Sequence, residues 1–355
     1  MLRCQKCVMP DTRPEIVFDA EGVCDACHTA ARKEQEIDWE ARRQQFETII
    51  ERYRNLDGSN YDCLIPVSGG KDSTYQVYMA KVIYGLNPLC VTFGQCKCTE
   101  LGEQNMENLR QLGVDHLVFH PNPVVYKKLY KTGFERLGDP CWPCHAGIFT
   151  YPIRIAVEKN IPLLIWGENS QMEYGGPAAA REEQVLDKRW LQQFGGLLNN
   201  RTEDMIGSEG ITTQDLLPYT YPSDEDLKRV GVTGLFLGYF FKWDARRQLE
   251  IVKEHGFKVR ETRSIGTYTN YENLDCGFVD IHDHLKYLKY GFGRCTDQAS
   301  IDLRNGRITR HEALELVAKY DHEVETVKDF CEYLGITEAE FWKIANSFKG
   351  DWKED

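Results

Sequence analysis

The stretch Tyr61-Asp62-Cys63-Leu64-Ile65-Pro66-Val67-Ser68-Gly69-Gly70-Lys71-Asp72-Ser73-Thr74 decides the fold. It opens on a short apolar run with strand character and closes where a helical pattern over 73–84 begins. Between them, two adjacent glycines permit positive φ and let a ligand approach the backbone closely. N–H groups at the start of the following helix then make an anion site. Ser68, Ser73 and Thr74 add hydroxyl donors, Lys71 adds a positive charge, and Asp72 offers a carboxylate for a phosphate-bound Mg²⁺. The spacing is neither G-x-x-x-x-G-K-[ST] nor G-x-G-x-x-G. The plain alternative is a strand-to-helix turn that happens to contain Gly-Gly.

Outward from this loop, strands and helices alternate. Leu89–Phe93, His116–Phe119 and Pro162–Gly167 read as further strands, and 100–112, 123–137 and 145–159 as helices. Such alternation implies an α/β fold with a doubly wound parallel sheet. The rhythm is lost over about 170–233, which reads as an insertion with lid or subunit contacts. A strand over 234–240 restores it, followed by helices at 244–255 and 281–290. Residues 309–347 read as two or three amphipathic helices. The expected organisation is a zinc-ribbon-like segment 1–30, a linking helix 31–57, an α/β domain 58–300 and C-terminal helices 301–355.

A chain of 355 residues is long for one domain. No apolar run approaches the roughly 18 residues of a membrane helix, and the N-terminus lacks the apolar centre of a signal peptide. A cytoplasmic protein without a membrane partner is expected. The net charge of −12 argues against a nucleic-acid partner.

Thirteen cysteines is a high count, and they cluster. In a reducing compartment that pattern points to metal or redox chemistry rather than disulfides. Cys4-x-x-Cys7 and Cys24-x-x-Cys27 supply two thiolate pairs from two tight turns, enough for a tetrahedron around a structural zinc. Iron in that place and unligated reduced cysteines are the alternatives, and His28 reads as a bystander. A third pair, Cys141-Trp142-Pro143-Cys144-His145, opens a predicted helix, with Cys96 and Cys98 after the second strand. A second metal or iron–sulfur cluster, a wall of the substrate pocket, and inert buried thiols all remain open for it. A cluster needs a third cysteine, for which Cys276 and Cys295 are the candidates.

The loop Ser68-Gly69-Gly70-Lys71-Asp72-Ser73 resembles the PP-loop, S-G-G-x-D-S, of the ATP pyrophosphatases. Three further stretches narrow the resemblance. They are Cys141-Trp142-Pro143-Cys144-His145-Ala146-Gly147-Ile148-Phe149-Thr150, then Ile165 through Pro177, then Tyr290-Gly291-Phe292-Gly293-Arg294-Cys295-Thr296-Asp297-Gln298-Ala299-Ser300. With the loop, they resemble the N-acetyl sugar amidotransferase family of bacterial surface-polysaccharide synthesis. The resemblance implies a PP-loop-type nucleotide domain, cleavage of ATP to AMP and pyrophosphate, and conversion of an acetamido group on a sugar to an acetamidino group. It implies a place in O-antigen or pseudaminic/legionaminic acid synthesis. It further implies ammonia from a partner glutaminase resembling that of imidazole glycerol phosphate synthase, with a cyclase-like barrel subunit often alongside. The sequence agrees in one respect: it holds no G-x-C-x-G elbow, and position 2 is Leu, so neither common glutaminase nucleophile is present. Homo-oligomerisation is left open.

On that reading Ser68, Gly69, Gly70, Ser73 and Thr74 hold the phosphates, Lys71 neutralises developing charge, and Asp72 holds Mg²⁺. Backbone at Thr92 and Phe93 flanks adenine, and Gly167 and Glu168 face the same crevice. Asn169, Glu173, Tyr174, Gly175, Arg294 and Asp297 reach the sugar. His282 and His284 are candidate acid–base groups, against the plainer reading of a surface pair. A tRNA thiolation enzyme using Cys141 and Cys144 is the competing PP-loop reading.

Overall fold

The computed structural model describes residues 1–175 and 201–353, apart from the side chain of Gln171. Most of the expected insertion's middle, with Gly176 and Pro177, therefore lies outside the described residues.

Five strands form one sheet in the order β3-β2-β1-β4-β5. They are β1 (Cys63–Pro66), β2 (Pro88–Phe93), β3 (Asp115–Phe119), β4 (Leu163–Trp166) and β5 (Thr233–Phe236). Every neighbouring pair is parallel. The expected doubly wound α/β architecture is thus present. The order reverses between β1 and β4, so the crevice beyond their carboxyl ends is where such a sheet binds ligands. All of β2 and β4 is buried, as sheets covered on both faces require.

Helices cover both faces. Helix α3 (Lys71–Val77) continues into a π-helical turn, Tyr78–Ile83. Helix α4 spans Glu100–Arg110, α5 Pro123–Leu137 and α6 Trp142–Lys159. Helix α5 has the predicted bounds for local reasons: Asn122 caps its first N–H groups, Pro123 fits the first turn, and Gly138 leaves it left-handed at φ 58°.

Two expectations are corrected. The linking helix over 31–57 is two helices, α1 (Asp25–Gln35) and α2 (Trp39–Tyr53), because the Asp38 carboxylate accepts the Ala41 N–H and starts a new helix. The strand expected over 234–240 stops at Phe236, the last residue to pair with β4, and Leu237–Phe240 form a helical turn. The 309–347 region is three helices, Arg310–Tyr320, Val327–Leu334 and Glu338–Ser347. A helix at Arg294–Arg304, absent from the periodicity reading, precedes them. Among the described residues no helix is long and apolar enough to cross a membrane.

Candidate active site and metal centre

The glycine loop sits where β1 feeds α3, at the switch point. Gly69 adopts φ +81°, and a Cβ there would come within 2.7 Å of the Gly102 carbonyl, so only glycine fits. The loop is closed by its own side chains. Ser73 Oγ and Thr74 Oγ1 each donate to the Gly70 carbonyl at 3.0 Å. Ser68 Oγ accepts from the Gly70 N–H at 3.3 Å. These hydroxyls thus fix the loop's shape, and its anion-binding capacity rests on the backbone N–H groups of the helix start.

Lys71 is buried, and its Nζ lies 2.8 Å from both Asp72 Oδ2 and Glu272 Oε1. Burial alone would lower its pKa, but the Asp72 and Glu272 charges outweigh it and hold the ammonium charged. Asp72 Oδ1 is buried with no hydrogen-bond partner. Across the crevice, Glu168 follows β4, and burial with the nearby Asp72 and Glu173 charges pushes its carboxyl up to about 8. An orphaned carboxylate oxygen beside a carboxyl that resists ionisation is a place where a divalent cation fits, since the cation would satisfy both.

Glu168, Lys71 and Glu272 line a cleft together with Ala26, Ala30 and Lys33 of α1, with Lys242 and Trp243, and with Gln298, Arg304 and Asn305. Glu173 is ion-paired with Lys33 at 2.5 Å. Tyr174 is covered by the Arg13 guanidinium, 5.4 Å from the ring centroid. Gly175, at φ +95°, packs on Asp25. Asn169 is buried, and its carbonyl accepts the Met172 and Glu173 N–H groups at the start of Ser170–Tyr174. Gly167 and Glu168 follow β4 directly.

Other sequence candidates occupy different places. Thr92 donates to the Val67 carbonyl at 2.7 Å, and the Phe93 ring is buried against Phe119, Tyr126 and Tyr219, so both side chains belong to the core. Arg294 spends its guanidinium on Asp283, at 3.2 Å from each oxygen. Asp297 is held between Arg13 at 2.9 Å and Lys286 at 2.7 Å. It therefore ties the N-terminal segment to the C-terminal helices, and its carboxylate is already spent. The two histidines also separate. His282 Nδ1 lies 3.0 Å from Asp139 Oδ1, whereas His284 Nδ1 meets the His322 carbonyl at 2.9 Å.

The four N-terminal cysteines converge. Cys4 Sγ lies 3.8 Å from Cys27 Sγ and Cys7 Sγ 3.6 Å from Cys24 Sγ, all buried. Backbone N–H groups of Lys6, Cys7 and Cys24 point at Cys4 Sγ at 3.2 to 3.4 Å, and that of Met9 at Cys7 Sγ at 3.5 Å. Amides aimed at sulfur are what anionic thiolates require, so this donor set could hold a metal ion. Arg304 supplies further positive charge, its guanidinium in electrostatic range of Cys7, Cys27 and Cys24.

Cys141 and Cys144 are both buried, and the groups of close-lying metal-ligating atoms among the described residues include Cys141 but not Cys144. Cys144 lies beside the Tyr126 hydroxyl. Cys276 lies beside Cys96 and forms a β-bridge with Cys98. Cys295 packs with Val8 and Ala299 instead.

Sequence reasoning missed Glu272, Arg304, Lys33, Lys242 and Trp243. None carries a local signal: Glu272 lies in an irregular loop, and the others meet the cleft only through tertiary packing.

A curated relative, the uncharacterized protein MJ1599 of Methanocaldococcus jannaschii, is 24% identical over 183 residues, which is 51% of this chain and 63% of that protein. The chain thus matches less than two thirds of that relative's length. Among solved structures, NMN synthetase from Francisella tularensis aligns over 82% of this chain and 98% of its own, at 13% identity and a TM-score of 0.35. NH3-dependent NAD synthetase from Campylobacter jejuni aligns over 64% and 100%, at 11% identity and a TM-score of 0.31. Likenesses this distant say nothing about the chemistry of this chain. The C-terminal domain of the LPS biosynthesis protein WbpG-like family matches residues 265–354 of this chain.

Proposed function

We propose that this chain is an ATP-dependent amidotransferase of lipopolysaccharide biosynthesis. It adenylates the acetamido oxygen of an N-acetyl sugar and replaces that oxygen with ammonia, giving an acetamidino sugar. An amide carbonyl is a poor electrophile and hydroxide a poor leaving group. Attack of the acetamido oxygen on the α-phosphorus of ATP releases pyrophosphate and leaves an O-adenylyl imidate. Ammonia then adds to the imidate carbon and AMP departs.

The observation that carries this reading is the Ser68–Ser73 loop at the switch point, with Lys71 held between Asp72 and Glu272. In such transfers the protein mainly positions the reactants and neutralises charge. The loop amides would take the pyrophosphate, and Lys71 the charge that builds on it. Asp72 and Glu168 would hold Mg²⁺, which when bound screens the phosphate charge. Glu173 and Tyr174 line the same cleft, and they would contact the sugar. The WbpG-like C-terminal domain supports surface-polysaccharide synthesis as the setting. Ammonia would come from a partner glutaminase, with or without a cyclase-like barrel subunit. We take the tetracysteine ion to be zinc and its role to be structural.

The test is incubation with Mg²⁺, ATP, an acetamido sugar and ammonium. AMP, pyrophosphate and a product in which NH has replaced oxygen are expected. Formation of ADP would rule out adenylation.

A further inference from the structure

The turn between α5 and α6 carries a set of side chains that the chemistry above does not use. Asp139 and Cys141 are 6% and 7% exposed. Asp139 Oδ1 accepts the Cys141 N–H at 2.9 Å and lies 3.0 Å from His282 Nδ1. One ligand atom each from Asp139, Cys141 and His282 lies within 4.8 Å of the other two. His282 comes from the helix Val279–Tyr290, more than a hundred residues along the chain, so the juxtaposition is built by the tertiary fold.

His145 provides an independent pointer. It lies one helical turn beyond Cys141, and its N–H bonds the Cys141 carbonyl at 3.0 Å. Ligands four residues apart on a helix share a face. The His145 ring stands edge-on to that of His282, with centroids 5.3 Å apart at 85°. Its Nδ1 is buried and has no hydrogen-bond partner. Such an orphaned buried atom is destabilising unless a ligand satisfies it.

We propose that Asp139, Cys141, His145 and His282 form a second metal site, distinct from the tetracysteine centre and taking a zinc-type divalent ion. One carboxylate, one thiolate and two neutral imidazoles make four ligands of borderline character, the number and kind that tetrahedral zinc prefers. The charges also balance: two anionic ligands cancel a divalent cation, which a buried position demands. Binding displaces the Cys141 thiol proton to solvent, and the imidazoles ligate through lone pairs. The pair within the Cys141-Trp142-Pro143-Cys144-His145 stretch that shares a metal is therefore Cys141 and His145. An ion here would clamp the α5–α6 turn to the domain of residues 265–354. It would also fix His282 beside Asp283, which holds Arg294. This inference stands apart from the proposed reaction.

X-ray absorption at the zinc edge of the zinc-reconstituted full chain tests it without mutation. Two zinc ions per chain are expected, with about 2.5 sulfur ligands per zinc on average; one ion with four sulfurs would overturn the proposal. Metal analysis of the Cys141→Ser/His282→Gln chain should then show loss of one equivalent, with circular dichroism reporting retained fold. Two equivalents retained in that chain, or acid-labile sulfide accompanying the metal in the wild type, would also overturn it.

Discussion

Replacing Glu168 with glutamine should stabilise the ligand-free protein, and by more as the pH rises. Burial and the Asp72 and Glu173 charges push the Glu168 carboxyl from its usual 4.5 up to about 8, with Lys71 opposing. The sign follows from linkage. Below its unfolded pKa the group is protonated in both states and costs nothing. Between 4.5 and 8 the unfolded chain gains the charge and the folded chain does not, so stability falls with rising pH across that window and levels off above it. At about 1.4 kcal/mol per pH unit the whole shift would amount to roughly 4 kcal/mol at pH 8. Glu168 is half-buried, and solvent screening cuts this to roughly 2 kcal/mol.

Glutamine does not titrate. The stability gap between Glu168→Gln and wild type should therefore open from near zero at pH 4.5 to roughly 1 kcal/mol at pH 6 and roughly 2 kcal/mol at pH 8. Urea midpoints measured in parallel across that range read the gap directly. Mg²⁺ supplies a second arm: a cation shared with Asp72 favours the ionised carboxylate, so it should stabilise wild type and close the gap. A gap independent of pH, or one that widens toward acid, would refute the assignment of a proton to Glu168 in the ligand-free cleft.

Four further outcomes are expected. Asp72→Ala should abolish AMP formation while metal analysis finds the tetracysteine ion still bound. Chelation of that ion should open residues 1–35 to limited proteolysis and weaken ligand binding, because α1 forms a wall of the cleft, while most far-UV helical signal persists. Arg304→Met should loosen the same ion by about tenfold or more in a chelator competition, since the guanidinium offsets thiolate charge at Cys7, Cys24 and Cys27. Gly69→Ala should cost at least about 1–2 kcal/mol in chemical denaturation and remove ATP binding by calorimetry, because alanine at φ +81° would drive its Cβ to 2.7 Å from the Gly102 carbonyl.

What the sequence disclosed depended on how local each determinant was. The loop, the α/β alternation and the four-cysteine centre were legible because each is set by neighbours along the chain. Asn122, Pro123 and Gly138 bracket α5 for the same reason. The apolar run at 234–240 was misread because a buried strand and a buried helical turn look alike in composition; only pairing with β4, which ends at Trp166 and Phe236, decides between them. Asp297 illustrates the opposite limit. Its place in a distinctive stretch suggested a ligand contact, yet Arg13, far off in sequence, had already claimed its carboxylate. Glu272 is the counterpart: it sits in no motif and no regular element, and only the fold sets it against Lys71. A lysine buried as deeply as Lys71 needs nearby negative charge to stay ionised, and Asp72 alone, with one oxygen left free for a cation, divides that task. The burial of Lys71 creates the need for a second carboxylate, and neither that burial nor the carboxylate's position in the chain is written in the loop. Glu272→Gln thus gives the sharpest separation of the two duties. It should leave Mg²⁺ binding at Asp72 largely intact and impair turnover through Lys71, and equal loss of both would show that the carboxylates act as one site.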